Sequence, residues 1–330
     1  MIEILKKQWF VVLIAVILIS FAIFSIWDTN KGKLAGKKAD GKDVIASVAD
    51  KNIFVDDIFN DLKTQSADAY LYQKFQDAVA NEVIETDDDI KSTAKLQQEQ
   101  TEEYFKANDP TNYKTTIQSQ LEASGYSDLY EYCLTSAKVQ KMFTNYMDEH
   151  MDELFTPIHK EKNGRIVAHI LIKMENSKNP TKEEQEKVKK VDEALKSGKK
   201  FADVAKEFSD DSSASTGGLV GYTDKDSQLV EDFKKTALKL KKNEVSDWVK
   251  VASTNYQGWH KIIVLETDKD KIVKYEDDTD TVKNQVYQAI MNADNDLRKK
   301  IVWEKSKKVD IVYGNDDIKK LLMDYMGIKE

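Results

Sequence analysis

Arg165-Ile-Val-Ala-His169-Ile-Leu-Ile-Lys173 and Gly258-Trp-His260-Lys-Ile-Ile-Val-Leu265 are the two stretches whose reading decides the fold. Both are short apolar runs rich in β-branched residues, which makes them strands rather than helices. Each carries one histidine among apolar neighbours. Between them lie Phe201-Ala-Asp-Val-Ala-Lys-Glu-Phe208-Ser-Asp-Asp211, the glycine-rich turn Gly217-Gly218-Leu-Val-Gly221-Tyr222, and Leu229-Val-Glu-Asp-Phe233. Two strands of one small sheet that each place a histidine in apolar surroundings form a candidate site.

The order of motifs over this stretch is specific. Ala168-His169-Ile-Leu-Ile-Lys173, Phe201 to Asp210, Gly217-Gly218-x-x-Gly221-Tyr222, Phe233-x-x-x-Ala237-x-x-Leu240, Glu244-Val-Ser246 and Gly258-Trp-His-Lys-Ile-Ile263 follow one another. Together they resemble a parvulin-type peptidyl-prolyl cis–trans isomerase. With an apolar N-terminus and helical flanks, the whole chain resembles the PrsA-type extracytoplasmic foldases, and more distantly the SurA-like periplasmic chaperones. The resemblance implies a polar core of His169 and His260 with Asp211, at a position where the family has Cys or Asp. It implies a proline pocket of Val220, Leu229 and Phe233, with Ser209 and Tyr222 as candidates for supporting hydrogen bonds. It also implies catalysis without metal, cofactor or covalent intermediate, on unfolded or partly folded exported polypeptides that contain proline.

This chain departs from the family pattern in several places. Gly217-Gly218-Leu219-Val220-Gly221 replaces the usual Gly-Gly-Asp-Leu-Gly, and Leu229-Val-Glu-Asp-Phe233 replaces Met-Val-Pro-x-Phe. The loop Ala252 to Gln257 is longer than the family minimum, and Asn243 stands where glycine is usual. Asparagine tolerates the left-handed conformation nearly as well. No paired arginines follow Lys173, so a phosphoserine-proline preference is not expected. These departures leave open a non-catalytic chaperone or assembly factor that uses the domain only to bind peptide.

The residues can be read without the family. A lone histidine on an apolar strand is ordinarily a satisfied core residue. Two neutral imidazoles on adjacent strands, however, can bond to one another and fix their tautomers, and a carboxylate can orient the pair. Zinc is disfavoured because the chain has only 4 histidines and two of them, His150 and His159, lie outside the motifs. No nucleophile elbow is present, and Cys133 lies outside the stretch, which argues against hydrolysis.

Composition sets the wider frame. The chain has 330 residues, 33 % of them charged, with Pro 3 and Gly 12. That length accommodates two domains. Half of the glycines fall between Gly164 and Gly258, so turn chemistry is concentrated where a small sheet needs it. Cys133 is the single cysteine, which excludes an intrachain disulfide; it sits on a helix-period apolar stripe and reads as a buried small hydrophobe. The formal net charge is −8 and unevenly spread. Residues 43–163 hold 11 Lys and no Arg against 24 Asp and Glu, whereas residues 164–267 hold 19 Lys and Arg against 17 acidic residues. No basic patch with interleaved aromatics exists, so nucleic acid is not an expected partner. Asp87-Asp88-Asp89 lacks the spacing of a calcium loop and reads as the start of a helix.

Trp9 to Trp27 is a run of 19 residues without charge. At about 1.5 Å per residue it spans roughly 28 Å, the hydrocarbon thickness of a bilayer. Ser20-Phe-Ala22 is a poor cleavage site inside a run that continues past it, and no lipid-bearing cysteine follows. The expectation is an uncleaved signal anchor, with residues 1–29 as cytoplasmic stub and span and residues 9–27 in the lipid bilayer. Lysine counts favour a cytoplasmic bulk, with five lysines from Lys31 to Lys42 against Lys6 and Lys7. The resemblance instead implies a single-pass protein of the cell membrane whose bulk is extracytoplasmic.

Residues 30–43 read as a flexible tether. Ile45 to Ala49 reads as a short strand and Phe54 to Leu62 as the start of a helix, followed by helices over about 68–85, 87–107 and 111–123. From Ser127 a three–four spacing of Leu129, Tyr132, Cys133, Ser136, Val139, Phe143, Tyr146, Met147, Met151 and Leu154 predicts one helix of seven turns. Pro157 to Gly164 reads as a domain linker. Thr181-x-x-Glu184 is a capping box, and further helices are expected over 201–208 and 229–240. Downstream, Val282, Val286, Ile290, Ala293, Leu297 and Ile301 predict a helix over about 279–307. Val309 to Tyr313 alternates like a strand, and Asp316 is placed to cap a last helix. The expected fold is α+β: a small antiparallel sheet covered by helices (164–267), inserted in a mainly helical chaperone lobe (44–163 and 268–330), behind one N-terminal transmembrane helix. A homodimer is left open.

Overall fold

The structure is a computed structural model that describes residues 37–39, 41–48, 51–55, 67–252 and 257–329. The predicted span over residues 9–27 lies outside them, as does most of the helix expected from Phe54. Among the described residues no helix is long and apolar enough to cross a membrane. The chain divides at Tyr72/Gln73 into two units.

The first unit contains a three-stranded antiparallel meander of β1 (Lys37–Ala39), β2 (Lys42–Val48) and β3 (Lys51–Phe54). The strand read over Ile45 to Ala49 is therefore present and longer, and Phe54 ends β3 with the helical residue Val55 directly after it. Helix α1 (Ala67–Val83) spans the division.

The second unit is organised around a four-stranded sheet. Its strands are β4 (Arg165–Lys173), β5 (Leu219–Thr223), β6 (Val249–Val251) and β7 (Gly258–Glu266), in the order β5-β4-β7-β6 with every pairing antiparallel. Strand β4 is buried from Arg165 to Ile172, as expected of a central strand covered on both faces. Alternation sorts its side chains. Ala168, Ile170 and Ile172 pack with Val188, Val191, Val204 and Ala205. Those come from α6 (Lys182–Lys196), which opens on the expected Thr181/Glu184 capping box, and α7 (Phe201–Phe208). Val167 on the opposite face packs with Ile262, Val264, Phe233 and Ala237, the last two from α8 (Glu231–Lys239). Arg165 closes that helix: its Nη1 donates to the carbonyls of Ala237 and Leu240, both at 2.8 Å. Asn243 adopts φ 64°, the left-handed conformation expected of it.

Before the sheet lie α2 (Asp88–Asn108), α3 (Tyr113–Ala123), α4 (Leu129–Glu149) and α5 (Met151–Lys162). Asp87 caps α2 by accepting from the Ile90 amide at 2.8 Å. The seven-turn helix read from Ser127 is two helices, because the backbone leaves helical geometry at His150 (φ −116°, ψ 18°). Cys133, Phe143 and Met147 of the predicted stripe are buried, Tyr132 is exposed, and Ala137 and Met142 join the core. The predicted linker from Pro157 is mostly helix: α5 runs through Pro157 to Lys162, held by the buried Phe155 and Ile158, and ends at left-handed Asn163.

After the sheet come α9 (Lys269–Val273), α10 (Thr281–Ala293), α11 (Leu297–Ser306) and α12 (Asp316–Met326). The helix expected over 279–307 is broken at 294–296, where Asp294 turns back to accept from the Asp296 amide at 2.9 Å. Val309 to Tyr313 forms no strand; it has no partner, and Val312 is 95 % exposed. Asn315, not Asp316, caps α12, accepting from the Ile318 amide at 2.9 Å. The helices on either side of the sheet meet: Tyr287 of α10 donates to Asp148 of α4 at 2.5 Å, and Lys305 of α11 pairs with Glu149 at 3.1 Å.

Candidate functional site

His169 and His260 reach one another because β4 and β7 are neighbours in a definite register. His169 pairs with Ile262 and Leu171 with His260, so the two histidines sit diagonally on one face. Their rings stack with centroids 5.3 Å apart, and Nδ1 faces Nδ1 at 3.1 Å. Both side chains are buried.

Asp211 is brought to this pair by the end of α7. The Ser209 hydroxyl accepts from the Leu171 amide at 3.1 Å, and the Asp210 amide donates to the Leu171 carbonyl at 2.8 Å. These bonds stitch the chain to β4 immediately before Asp211. Asp211 then caps a 3-10 turn, Ser212–Thr216, accepting from the Ser213 amide at 2.9 Å and its hydroxyl at 2.6 Å. Its Oδ1 lies 3.3 Å from His169 Nε2. The chain returns through Gly217 and Gly218, both with positive φ, and the Gly218 carbonyl accepts from the His169 amide at 2.8 Å. A Cβ at Gly218 would stand 2.1 Å from the His169 carbonyl oxygen, so only glycine lets β5 approach here.

The electrostatics follow from this geometry. The hydrogen bond from His169 holds the Asp211 carboxyl well below the ordinary carboxylate range; burial opposes this, and the two bonds from Ser213 reinforce it. For an uncharged ring, hydrogen bonding to an ionised Asp211 places the His169 proton on Nε2. The lone pair on Nδ1 then accepts from His260 Nδ1–H, so one carboxylate sets the tautomer of both rings.

Phe233 stands edge-on to both imidazoles, with centroids 5.5 Å from His169 and 5.6 Å from His260. It forms one wall of a cavity of about 340 Å³. Leu219, Val220, Leu229, Val230 and Val251 complete the apolar walls, and His169, Asp211, His260, Ser213 and Gln228 lie on its polar side. Such a space fits one compact apolar ring with polar groups at one edge.

Of the residues read from the sequence, His169, Asp211, His260, Val220, Leu229 and Phe233 all line this cavity. Tyr222 and Ser209 do not. Gly221 bends β5 at φ +96°, and Tyr222 instead packs on Phe155 (5.5 Å) and over Gly164. Ser209 is occupied in the stitch to β4. Ser212, Ser213, Leu219, Gln228, Val230 and Val251 escaped the reading. Ser213 had a signal, since Asp-x-Ser is a side-chain capping pattern; Val251 had only its pairing with Gly258 across β6 and β7. Among the described residues no three His, Cys, Asp or Glu side chains group as metal ligands.

Residues 169–267 match the family described as Rotamase: PPIC-type PPIASE domain. The chain is 29 % identical over 300 residues to the foldase protein PrsA of Bacillus subtilis, across 90 % of this chain and 92 % of that one. It is 36 % identical over 147 residues to a parvulin-like PPIase of Rickettsia prowazekii, across 44 % of this chain and 45 % of that one. The crystal structure of PrsA from Bacillus subtilis aligns with 85 % of this chain and 98 % of its own, at 26 % identity and a TM-score of 0.46.

Proposed function

We propose that this chain, which carries a parvulin-type peptidyl-prolyl cis–trans isomerase domain over residues 169–267, is a membrane-anchored extracytoplasmic foldase acting on exported, incompletely folded polypeptides. The isomerase occupies 164–267. Residues 73–163 and 268–330 form one helical lobe that holds clients, and residues 9–27 anchor the protein in the bilayer. The similarity to PrsA over nearly the whole chain supports this assignment.

The observation that carries the proposal is the juxtaposition of the Asp211–His169–His260 chain with the Phe233-walled cavity. Rotation about an X–Pro bond is opposed by a barrier of about 18–20 kcal/mol, because the planar amide is conjugated. Phe233, Leu229 and Val220 hold the proline ring. The flanking amide then lies against mainly apolar walls, which favour the twisted and less polar amide over the planar one. The histidine pair, fixed by Asp211, keeps buried polar atoms matched to one another, so the site needs no reorganisation as the amide turns. Every 1.4 kcal/mol of preference for the twisted form speeds rotation about tenfold.

A second reading, a chaperone that binds peptide without catalysis, is supported by exposed Leu96 and Tyr104 on α2, beside a separate cavity of about 350 Å³. Refolding of a protein limited by one X–Pro bond separates the two. The foldase reading expects catalytic amounts of the full chain to accelerate the slow phase. An unchanged slow phase with suppressed aggregation would establish the chaperone reading instead.

A further inference from the structure

The proline cavity has a neighbour. A groove of about 340 Å³ lies between the β5–α8 connection and α10, and Val220, Gln228 and Leu229 line both spaces. The far wall is the face of α10 carrying Gln285, Gln288, Ala289 and Asn292, spaced i, i+3, i+4 and i+7. In a chain that is 33 % charged, Lys283 is the single charged residue of α10. This face therefore differs from an ordinary solvated one.

Gln285 defines what the groove can bind. Its Nε2 donates to the Val220 carbonyl at 3.0 Å, and its Oε1 accepts from the Tyr222 amide at 2.5 Å. These two bonds flank Gly221, where any Cβ would stand 2.0 Å from Gln285 Oε1. The outer edge of β5 is thus occupied by a side chain, so a peptide cannot add there as a further strand. The groove carboxylates are also engaged: Asp226 pairs with Lys162 at 2.5 Å, and Asp224 accepts from the amides of Asp226 and Ser227. The exposed amides of Gln288 and Asn292 make no hydrogen bond within the described residues. Primary amides both donate and accept, as a peptide backbone does, and can match it without reading its sequence.

We propose that this groove is a second subsite for the substrate polypeptide, receiving the extended residues on one side of the proline and reading their backbone through Gln288 and Asn292. The proposal rests on the isomerase reading and extends it: a helix of the lobe becomes part of the substrate site of the inserted domain. Specificity there is for unstructured chain rather than for a side-chain motif.

The test is fluorescence anisotropy of labelled peptides with the full chain. A short prolyl peptide is compared with peptides of about ten residues that carry the proline near one end or the other. One longer peptide should bind at least about fivefold more tightly than the short one, the worth of roughly one net amide hydrogen bond. The exposed double substitution Gln288→Ala, Asn292→Ala should abolish that advantage. An advantage that survives the substitution, or no advantage in the wild type, overturns the subsite. Wild-type protein that catalyses no isomerisation but shows a length advantage lost in the variant leaves the subsite standing and removes the catalytic reading. Failure to bind any of the peptides removes both.

Discussion

His169 and His260 face each other Nδ1 to Nδ1 at 3.1 Å, and the proton between them is assigned by a third residue. Asp211 engages His169 at Nε2, which leaves Nδ1 of that ring as the acceptor and Nδ1 of His260 as the donor. For uncharged rings this holds the buried pair in one tautomeric arrangement, beside a carboxyl kept well below its ordinary range.

That carboxyl makes stability depend on pH. The folded carboxyl of Asp211 is depressed from its ordinary 3.8, so its contribution is complete above the ordinary range and is lost as pH falls toward the folded value. Asp211→Asn should cost about 1–3 kcal/mol at neutral pH. The gap to wild type should narrow below about pH 5, where the unfolded carboxyl begins to take up its proton. Urea unfolding across pH 3–7 measures this, and a gap independent of pH would contradict it.

Phe233 is 5 % exposed and packs edge-on against both imidazoles. Phe233→Ala should cost about 3 kcal/mol or more through the emptied wall. Isomerisation should fall far more than aggregation suppression, because the helical lobe has its own core. Equal loss of both activities in a folded variant would contradict the division of labour.

Gly218 sits at φ +81° against the His169 carbonyl. Gly218→Ala should destabilise by about 1–3 kcal/mol for the left-handed conformation alone, and by more for the contact. The denaturation midpoint should drop at an unchanged m-value. An unshifted midpoint would show that the β4–β5 junction relaxes freely.

Tyr287 and Asp148 join the helices before and after the sheet at 2.5 Å. Burial and this bond both push the Tyr287 hydroxyl above its ordinary range. Tyr287→Phe should cost about 1 kcal/mol, and a double-mutant cycle with Asp148→Ala should recover that value as coupling. Additive effects would mean that the contact contributes nothing to holding the two segments together.

The sheet and its cavity were legible because their signals are local. Short apolar runs rich in β-branched residues mark β4 and β7, and His169, His260, Asp211, Val220, Leu229 and Phe233 sit in dense motifs that bring them to one cavity. Tyr222 lines the neighbouring groove rather than the cavity, because its direction depends on the backbone turn at Gly221, which letters alone do not show. The break at His150 left almost no trace, since the apolar spacing continues across it. Pro157 suggested a linker, but burial of Phe155 and Ile158 carries the helix through. Val309 to Tyr313 alternates correctly yet finds no partner strand. The groove beside α10 joins residues about 65 positions apart, a distance set by tertiary packing.

Exchange spectroscopy on a short, unstructured X–Pro peptide tests the catalytic claim most directly, because it needs neither refolding nor a coupled protease. Without catalyst the isomers interconvert over tens of seconds and show no exchange. Catalytic amounts of the wild-type full chain should produce cis–trans exchange cross-peaks, and Phe233→Ala should weaken them at least about tenfold. Absence of exchange in the presence of folded wild-type protein that demonstrably binds the peptide would contradict catalysis by this site.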